Sequence, residues 1–467
     1  MKYVSTRGSA PVLGFADVLL AGLARDGGLY VPEAWPQLPR AKIAEFRGKS
    51  YADVAAAIIQ PFVGAEIGED ALDRMCREAY ATFRSDAVAP LVRIAPDQWI
   101  LELFHGPTLA FKDIAMQLLA RLMDHVVRQR NLRVTIVGAT SGDTGGAAIE
   151  AFKGRDNADV FILFPKGRVS PIQQRQMTTA GATNVHAIAV EGTFDDCQAI
   201  VKGLFNNADF RDRVALAGVN SINWARVLAQ IVYYFTAAVA VGAPEKSVSF
   251  TVPTGNFGDI FAGYAAKRMG LPIEHLAIAT NTNDILTRTL ASGRYELRPV
   301  IATASPSMDI QVSSNFERLL FEALCRDGAT VGGLMDDLKS GSFTLGAKAL
   351  SAIRQDFVAG RADERETAQT MREIYERRGL LVDPHTAVGL TVAGQFAEPG
   401  VPMITLATAH PAKFPAAVLA ATGQEAILPG SLGDLMKRPE KFTVIANDQA
   451  TVERFIAGHA RAVMEKV

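Results

Sequence analysis

Residues 133–152 read RVTIVGATSGDTGGAAIEAF: a β-branched run, a turn of small residues, then a helix-like stretch. The same rhythm returns downstream. Short apolar runs at 160–164 (VFILF), 185–190 (VHAIAV), 247–252 (SVSFTV), 275–279 (HLAIA) and 402–408 (PMITLAT) alternate with helical stretches. Such alternation points to βαβ units, hence an α/β chain whose largely parallel sheet carries helices on both faces. Upstream, KDIAMQLLARLMDHVVRQR at 112–130 places apolar residues at 114, 115, 118, 119, 122, 123, 126 and 127. That is one helical stripe, with an Arg-rich exit where cations suit the negative end of the dipole. Residues 1–90 lack the rhythm. They hold a turn-rich piece (DGGLYVPEAWPQLP, 26–39) and helical pieces at 51–64 and 69–83, and are predicted to form an N-terminal domain or cover. Residues 310–380 read as helical and charged, an insertion or helical layer.

The chain has 467 residues, 49% hydrophobic and 21% charged, which excludes a disordered, collagenous or coiled-coil protein. At about 100–200 residues per domain it divides into two or three. Lys and Arg total 48 against 49 Asp and Glu, so no basic excess marks a nucleic-acid binder. Cys76, Cys197 and Cys325 lie far apart with no CxxC pair, as expected of reduced thiols in a cytosolic protein. Asp17 interrupts the apolar run 10–24, which argues against a signal peptide. Residues 227–244 lack charge but contain Gln230, Thr236 and two tyrosines, and read as a buried helix rather than a membrane span. The seven histidines show no HxxxH pair, so no metal site is expected.

Five motifs could carry chemistry. In GATSGDTGGAA (138–148), small residues let backbone N–H groups approach an anion, with Ser141, Thr144 and the helix N-terminus as further donors. A tight turn needing Gly142 explains the same composition. VPTGNFGD (252–259) repeats the strand–turn–helix pattern, and Gly255 and Gly258 bracket a loop suited to a phosphate, while Asp259 is either part of it or an ordinary helix cap. In LFHGPTLAFKD (103–113), Lys112 opens a helix, where the dipole and apolar neighbours depress its pKa and favour the free amine that a Schiff base needs. The plainer alternative is a solvated lysine. LATAHPAKF (406–414) ends a strand at Thr408, with His410, Pro411 and Lys413 following. NSINWAR (220–226) supplies Asn223 and Arg226, the latter a phosphate clamp or a surface charge.

With DGGLYVPE (26–33) and VDPHTAVG (382–389), these pieces stand in the order found in threonine synthases of the longer class, and the chain resembles that family over nearly its whole length. The resemblance implies two doubly wound α/β domains around a pyridoxal 5'-phosphate cleft, with a mostly helical N-terminal extension. It implies boundaries at 1–90, 91–430 for the catalytic core including 310–380, and a C-terminal segment 431–467. Lys112 then carries the cofactor, Gly255, Asn256, Phe257, Gly258 and Asp259 cup its phosphate, and Thr408 meets the pyridine nitrogen. Thr140, Ser141, Asp143 and Thr144 are expected to hold the carboxylate of the substrate, O-phospho-L-homoserine. Its phosphate needs cations, for which Arg226 and Lys413 are candidates, with Lys166 and Arg175 behind them, and Asn223 is expected beside them as a further substrate-binding residue. Related enzymes of this fold often have Asn where Asp143 stands, so Asp143 is protonated, paired with a cation, or turned toward the substrate amine. The expected protein is a cytoplasmic monomer or homodimer, with no nucleic-acid or membrane partner. His105, His385 and His410 read as hydrogen-bonding groups near the site.

Overall fold

In the computed structural model, which describes residues 1–463, the β-branched runs pair into two sheets. The smaller has five strands in the order Thr443–Ala446, Val185–Glu191, Ala158–Pro165, Val134–Ala139, Leu216–Ala217, every pair parallel. The larger runs Phe357–Arg361, Ile273–Thr280, Val248–Pro253, Met403–Ala407, Gln98–Glu102, Leu91–Ala95, and only the last strand is antiparallel. Strand Ala158–Pro165 is buried at every position, as a central strand covered on both faces must be. Its one carboxylate, Asp159, is neutralised by Arg461 at 2.8 Å.

Some expectations shift. The helical layer at 310–380 is there, in helices Phe316–Ala323, Gly328–Lys339, Ala347–Asp356 and Glu364–Arg378, but it also delivers the edge strand Phe357–Arg361 to the larger sheet. The segment after 430 does not stand apart, since Thr443–Ala446 extends the smaller sheet. Behind it, helix Gln449–His459 buries Val452 and Ile456 in one core with Ile188 and Phe161. The N-terminal region is helical at Phe15–Ala21, Tyr51–Val63 and Glu69–Tyr80, and adds a small antiparallel pair, Tyr3–Ser5 with Tyr30–Pro32.

Helix Trp224–Ala240 is buried all round from Trp224 to Phe235, which is why its sequence is apolar without a stripe. It is enclosed by helices Lys112–Gln129, Tyr51–Val63 and Gly258–Arg268. Among the described residues no helix is long and apolar enough to cross a membrane. The turns that leave the C-terminal ends of Val134–Ala139, Val248–Pro253 and Met403–Ala407 carry the motif residues, the usual place for a ligand in a parallel sheet.

Candidate active site

Between strand Gln98–Glu102 and helix Lys112–Gln129 the HGPT turn is held by Asp113, a fully buried residue whose carboxyl accepts from the Thr108 N–H (2.8 Å) and hydroxyl (2.7 Å). Gly106 is required there, because a Cβ would lie 2.4 Å from Asp113 Cβ. Lys112 is the first helical residue, and its side chain is only 12% exposed. Its Nζ lies 4.8 Å from the Phe111 ring centroid and 3.7 Å from Asp143 Oδ2. Burial pushes its pKa down, Asp143 opposes that, and the charges of Arg226 and Lys413 push it down again. Lys112 is therefore not a solvated lysine. The Phe111 N–H donates to Thr408 O (2.9 Å), which sets Thr408 beside the lysine.

Gly142, with φ 147°, leads into helix Asp143–Phe152, and a Cβ there would meet Gln173 Cδ at 2.3 Å. Thr140 Oγ1 accepts from the N–H groups of Gly142 (2.9 Å) and Gly145 (3.0 Å), so this hydroxyl shapes the loop from inside. Ser141 is exposed and Thr144 half-buried. Asp143 is paired with cations. Its Oδ1 accepts from Lys413 Nζ (2.7 Å) and Gln173 Nε2 (2.8 Å), and its Oδ2 faces Lys112. Burial alone would raise its pKa, but Lys413 and Lys112 outweigh that and hold it well below the usual range.

This pairing corrects the expectation for Lys413. The residue is fully buried, and its Nζ also donates to Thr108 O (2.7 Å) and Gln176 Oε1 (3.0 Å), so its three protons are spent within the protein. Lys166 pairs with Glu191 at the surface (2.9 Å), and Arg175 binds Arg438 O (2.7 Å) and Glu440 (3.3 Å). Asn223 caps its helix, accepting from Ala225 N–H (3.0 Å) and donating to Leu19 O and Gly218 O, which uses its amide internally. Arg226 differs. It is buried, makes one long bond to Val219 O (3.4 Å), and its Nε has no partner among the described residues. Burial brings its pKa down to about 10, which still leaves it a cation.

The loop after Val248–Pro253 is gripped from behind. Ser313 Oγ donates to Gly255 O (2.6 Å), and Asn315 donates through N–H (3.0 Å) and Nδ2 (2.9 Å) to Asn256 O. Asn315 Nδ2 also reaches Ser221 O (3.2 Å), which ties the NSINWAR segment to the loop. Phe257 adopts φ 65°, caps helix Gly258–Arg268 with its backbone, and packs on Phe316 with ring centroids 5.2 Å apart. Asp259 is not the helix cap. Its Oδ1 accepts from the Tyr233 and Tyr234 hydroxyls, its Oδ2 is buried without a partner among the described residues, and burial pushes its pKa up to about 6. His385 accepts through Nε2 from Ser307 N–H (3.1 Å), so its Nδ1 carries the hydrogen donated to Asp383 (2.6 Å). His105 meets Glu102 (2.8 Å), and His410 accepts from Ala412 N–H. Gln173, Ser307, Asn315, Tyr233 and Tyr234 were not legible as site residues, because they reach the motifs only through tertiary packing.

An amine whose pKa is lowered by burial, two helix N-termini with close-set glycines, an under-bonded buried guanidinium and a hydroxyl at a strand end suit a ligand that bears an aldehyde, a phosphate and a ring nitrogen. Residues 89–336, more than half of the chain, match the family described as pyridoxal-phosphate dependent enzyme, so the fold and site define an enzyme of that class, with pyridoxal phosphate as cofactor. Residues 2–80 match the threonine synthase N terminus and residues 386–456 the threonine synthase C-terminal family. The chain belongs to the threonine synthase family. It is 51% identical to threonine synthase from Pseudomonas aeruginosa, over 98% of each chain. The Saccharomyces cerevisiae enzyme is 45% identical, over 89% of this chain and 88% of its own. A crystal structure of pyridoxal-phosphate-bound threonine synthase from Brucella melitensis superposes with a TM-score of 0.97 at 64% identity, covering 99% of this chain and 100% of that one.

Proposed function

We propose that the chain converts O-phospho-L-homoserine and water into L-threonine and phosphate, acting as a carbon–oxygen lyase on phosphate in the last step of threonine biosynthesis. The observation that carries the reading is Lys112: an amine only 12% exposed, 3.7 Å from the Asp143 carboxylate, and one whose charge also reaches Asp259 at the start of helix Gly258–Arg268. In this assignment Lys112 bears the cofactor, the Gly255–Asp259 turn and the N-terminus of its helix hold the cofactor phosphate, and the Thr408 hydroxyl meets the ring nitrogen. Ser141, Thr144 and the amides of their turn take the substrate carboxylate, with Thr140 and Asp143 shaping that turn. Arg226, which makes one long bond and whose Nε has no partner among the described residues, takes the substrate phosphate, and Asn223 fixes the start of its helix.

Bound pyridoxal phosphate supplies an electron-accepting ring next to the substrate's α-carbon. Lys112 Nζ, once free, removes the α-proton and then a β-proton. Arg226 stabilises the charge on the phosphate as it leaves the γ-carbon. Lys112 returns one proton to the γ-carbon, which becomes the methyl group; water adds its hydroxyl at the β-carbon and leaves its other proton on the released phosphate, and Lys112 gives its second proton back to the α-carbon. The Thr408 hydroxyl, unlike a carboxylate, does not enforce a protonated ring nitrogen, so proton traffic falls on Lys112. The test is product analysis with the cofactor-loaded protein and O-phosphohomoserine. Threonine appearing in step with phosphate supports the reading; phosphate with 2-oxobutyrate makes the protein a phospholyase; neither product removes the substrate assignment.

A further inference from the structure

Lys413 is fully buried, and its Nζ is bonded only within the protein among the described residues. Its three bonds join the HGPT turn (Thr108 O), the helix Pro171–Thr178 (Gln176 Oε1) and Asp143 Oδ1. Gln173, from the same helix, takes Asp143 Oδ1 as well, at 2.8 Å. One oxygen of the carboxylate is thereby doubly occupied, and the other, Oδ2, is left facing Lys112 at 3.7 Å. We propose that Lys413 is a positioning residue that works through Asp143: by holding Oδ1 it fixes the carboxylate as an anion whose second oxygen is presented to the Lys112 amine, and it shares the charge that Lys112 feels.

The charge pattern explains why the pair is needed. Asp143 opens a helix whose N-terminus is assigned to an anionic substrate group. A lone carboxylate there would repel that anion and would bind the Lys112 proton too firmly for the amine to act as a base. Lys413 offsets the charge from the protein side without spending the oxygen that meets Lys112. A neutral amide could occupy the same space, but it could not hold the ammonium form. The charged groups that bear on Lys112 are Asp143, Arg226, Lys413 and, across the cleft, Asp259. Among these charged groups Lys413 is the one that meets Asp143 Oδ1, beside the neutral amide of Gln173.

The inference rests on Lys112 being the cofactor-bearing lysine, which borohydride reduction of the holoenzyme and peptide mapping would establish separately. The test is the pH titration of the cofactor absorbance in the holoenzyme, with pH-dependent acetylation of Lys112 in the cofactor-free full chain as a second readout. Lys413→Met leaves Asp143 with Lys112 as its one remaining close cation, so the Lys112 midpoint should rise by about one pH unit, a tenfold gain in proton affinity. Asp143→Asn removes the anion and leaves the cations, so the midpoint should fall by a similar amount. Lys413→Arg, which keeps the charge, should stay close to wild type. Opposite displacements in the first two variants support the proposal. If Lys413→Met does not fold, the fall in Asp143→Asn must still appear. An unmoved midpoint in either folded variant, or displacements of the same sign, overturns it. A reduced label on another lysine would instead overturn the assignment of Lys112.

Discussion

Asp259 sits under two tyrosine hydroxyls with one oxygen facing no donor among the described residues, and burial raises its pKa from an ordinary 3.8 to about 6. The folded state therefore binds more protons than the unfolded state between those values. The stability this group contributes is fully present below about pH 4 and is lost as pH rises through about 6, by roughly 3 kcal/mol in all. Asp259→Asn cannot titrate, so relative to wild type it should gain up to about that amount between pH 4 and 7 in urea midpoints; a constant difference would count against the protonated carboxyl. At Lys112, Lys112→Ala should lower kcat by at least about a thousandfold while the glycine loop still docks the cofactor, read by turnover and by cofactor titration. Full activity in that variant would remove the assignment. The sequence pointed to Lys112 through its place at a helix start among apolar residues, and the structure adds the burial that sequence alone does not reveal. Lys413 was legible as a cation near the site but not as a spent one, because its partners Thr108, Gln176 and Asp143 come from distant parts of the chain.

The turn Gly255–Asp259 is a strand-to-helix element whose outer shape is set by a neighbouring loop. A Cβ at Gly255 would lie 2.4 Å from Ser307 O, a backbone atom held in place by the bond from Ser307 N–H to His385. Gly255→Ala should therefore displace the turn rather than the loop. Cofactor affinity is expected to fall at least about tenfold, with the melting temperature of the cofactor-free chain changed by only a few degrees, as loss of about 1–2 kcal/mol requires. An unchanged affinity would show that the turn tolerates the methyl and does not cup the phosphate closely. At this scale the inner strands were legible because double burial selects apolar and β-branched residues with few charges: VFILF lies within Ala158–Pro165 and SVSFTV largely within Val248–Pro253. The edge strands were not. Leu216–Ala217 is too short to carry a pattern, and Phe357–Arg361 and Thr443–Ala446 are partly exposed and flanked by charge, so their pairing is decided by the sheet they join.

Across the whole molecule, the N-terminal region is fastened to the Gly255–Asp259 turn by one buried cation. Arg318 is fully buried and donates to Tyr30 O (3.0 Å), Ile222 O (2.7 Å) and Asn315 Oδ1, with its guanidinium 5.8 Å from the Trp224 ring centroid. Burial draws its pKa down to about 9, and no carboxylate within 4 Å pairs with it among the described residues. Such a group is costly to bury unless it does connecting work. It joins the DGGLYVPE segment, the start of the NSINWAR helix and the asparagine that grips Asn256 O. Arg318→Met fills a similar volume but leaves two carbonyls and an amide oxygen without donors, a loss of about 3 kcal/mol. If the three regions act as one unit, hydrogen exchange in the variant should accelerate at residues 26–33 and at 255–259 together, and cofactor affinity should fall although Arg318 lies outside the 255–259 turn. Acceleration confined to 26–33 would mean that the N-terminal region is a cover with no hold on the site. Acceleration at both, with affinity lost, would mean that the extension is part of what keeps the phosphate turn in shape.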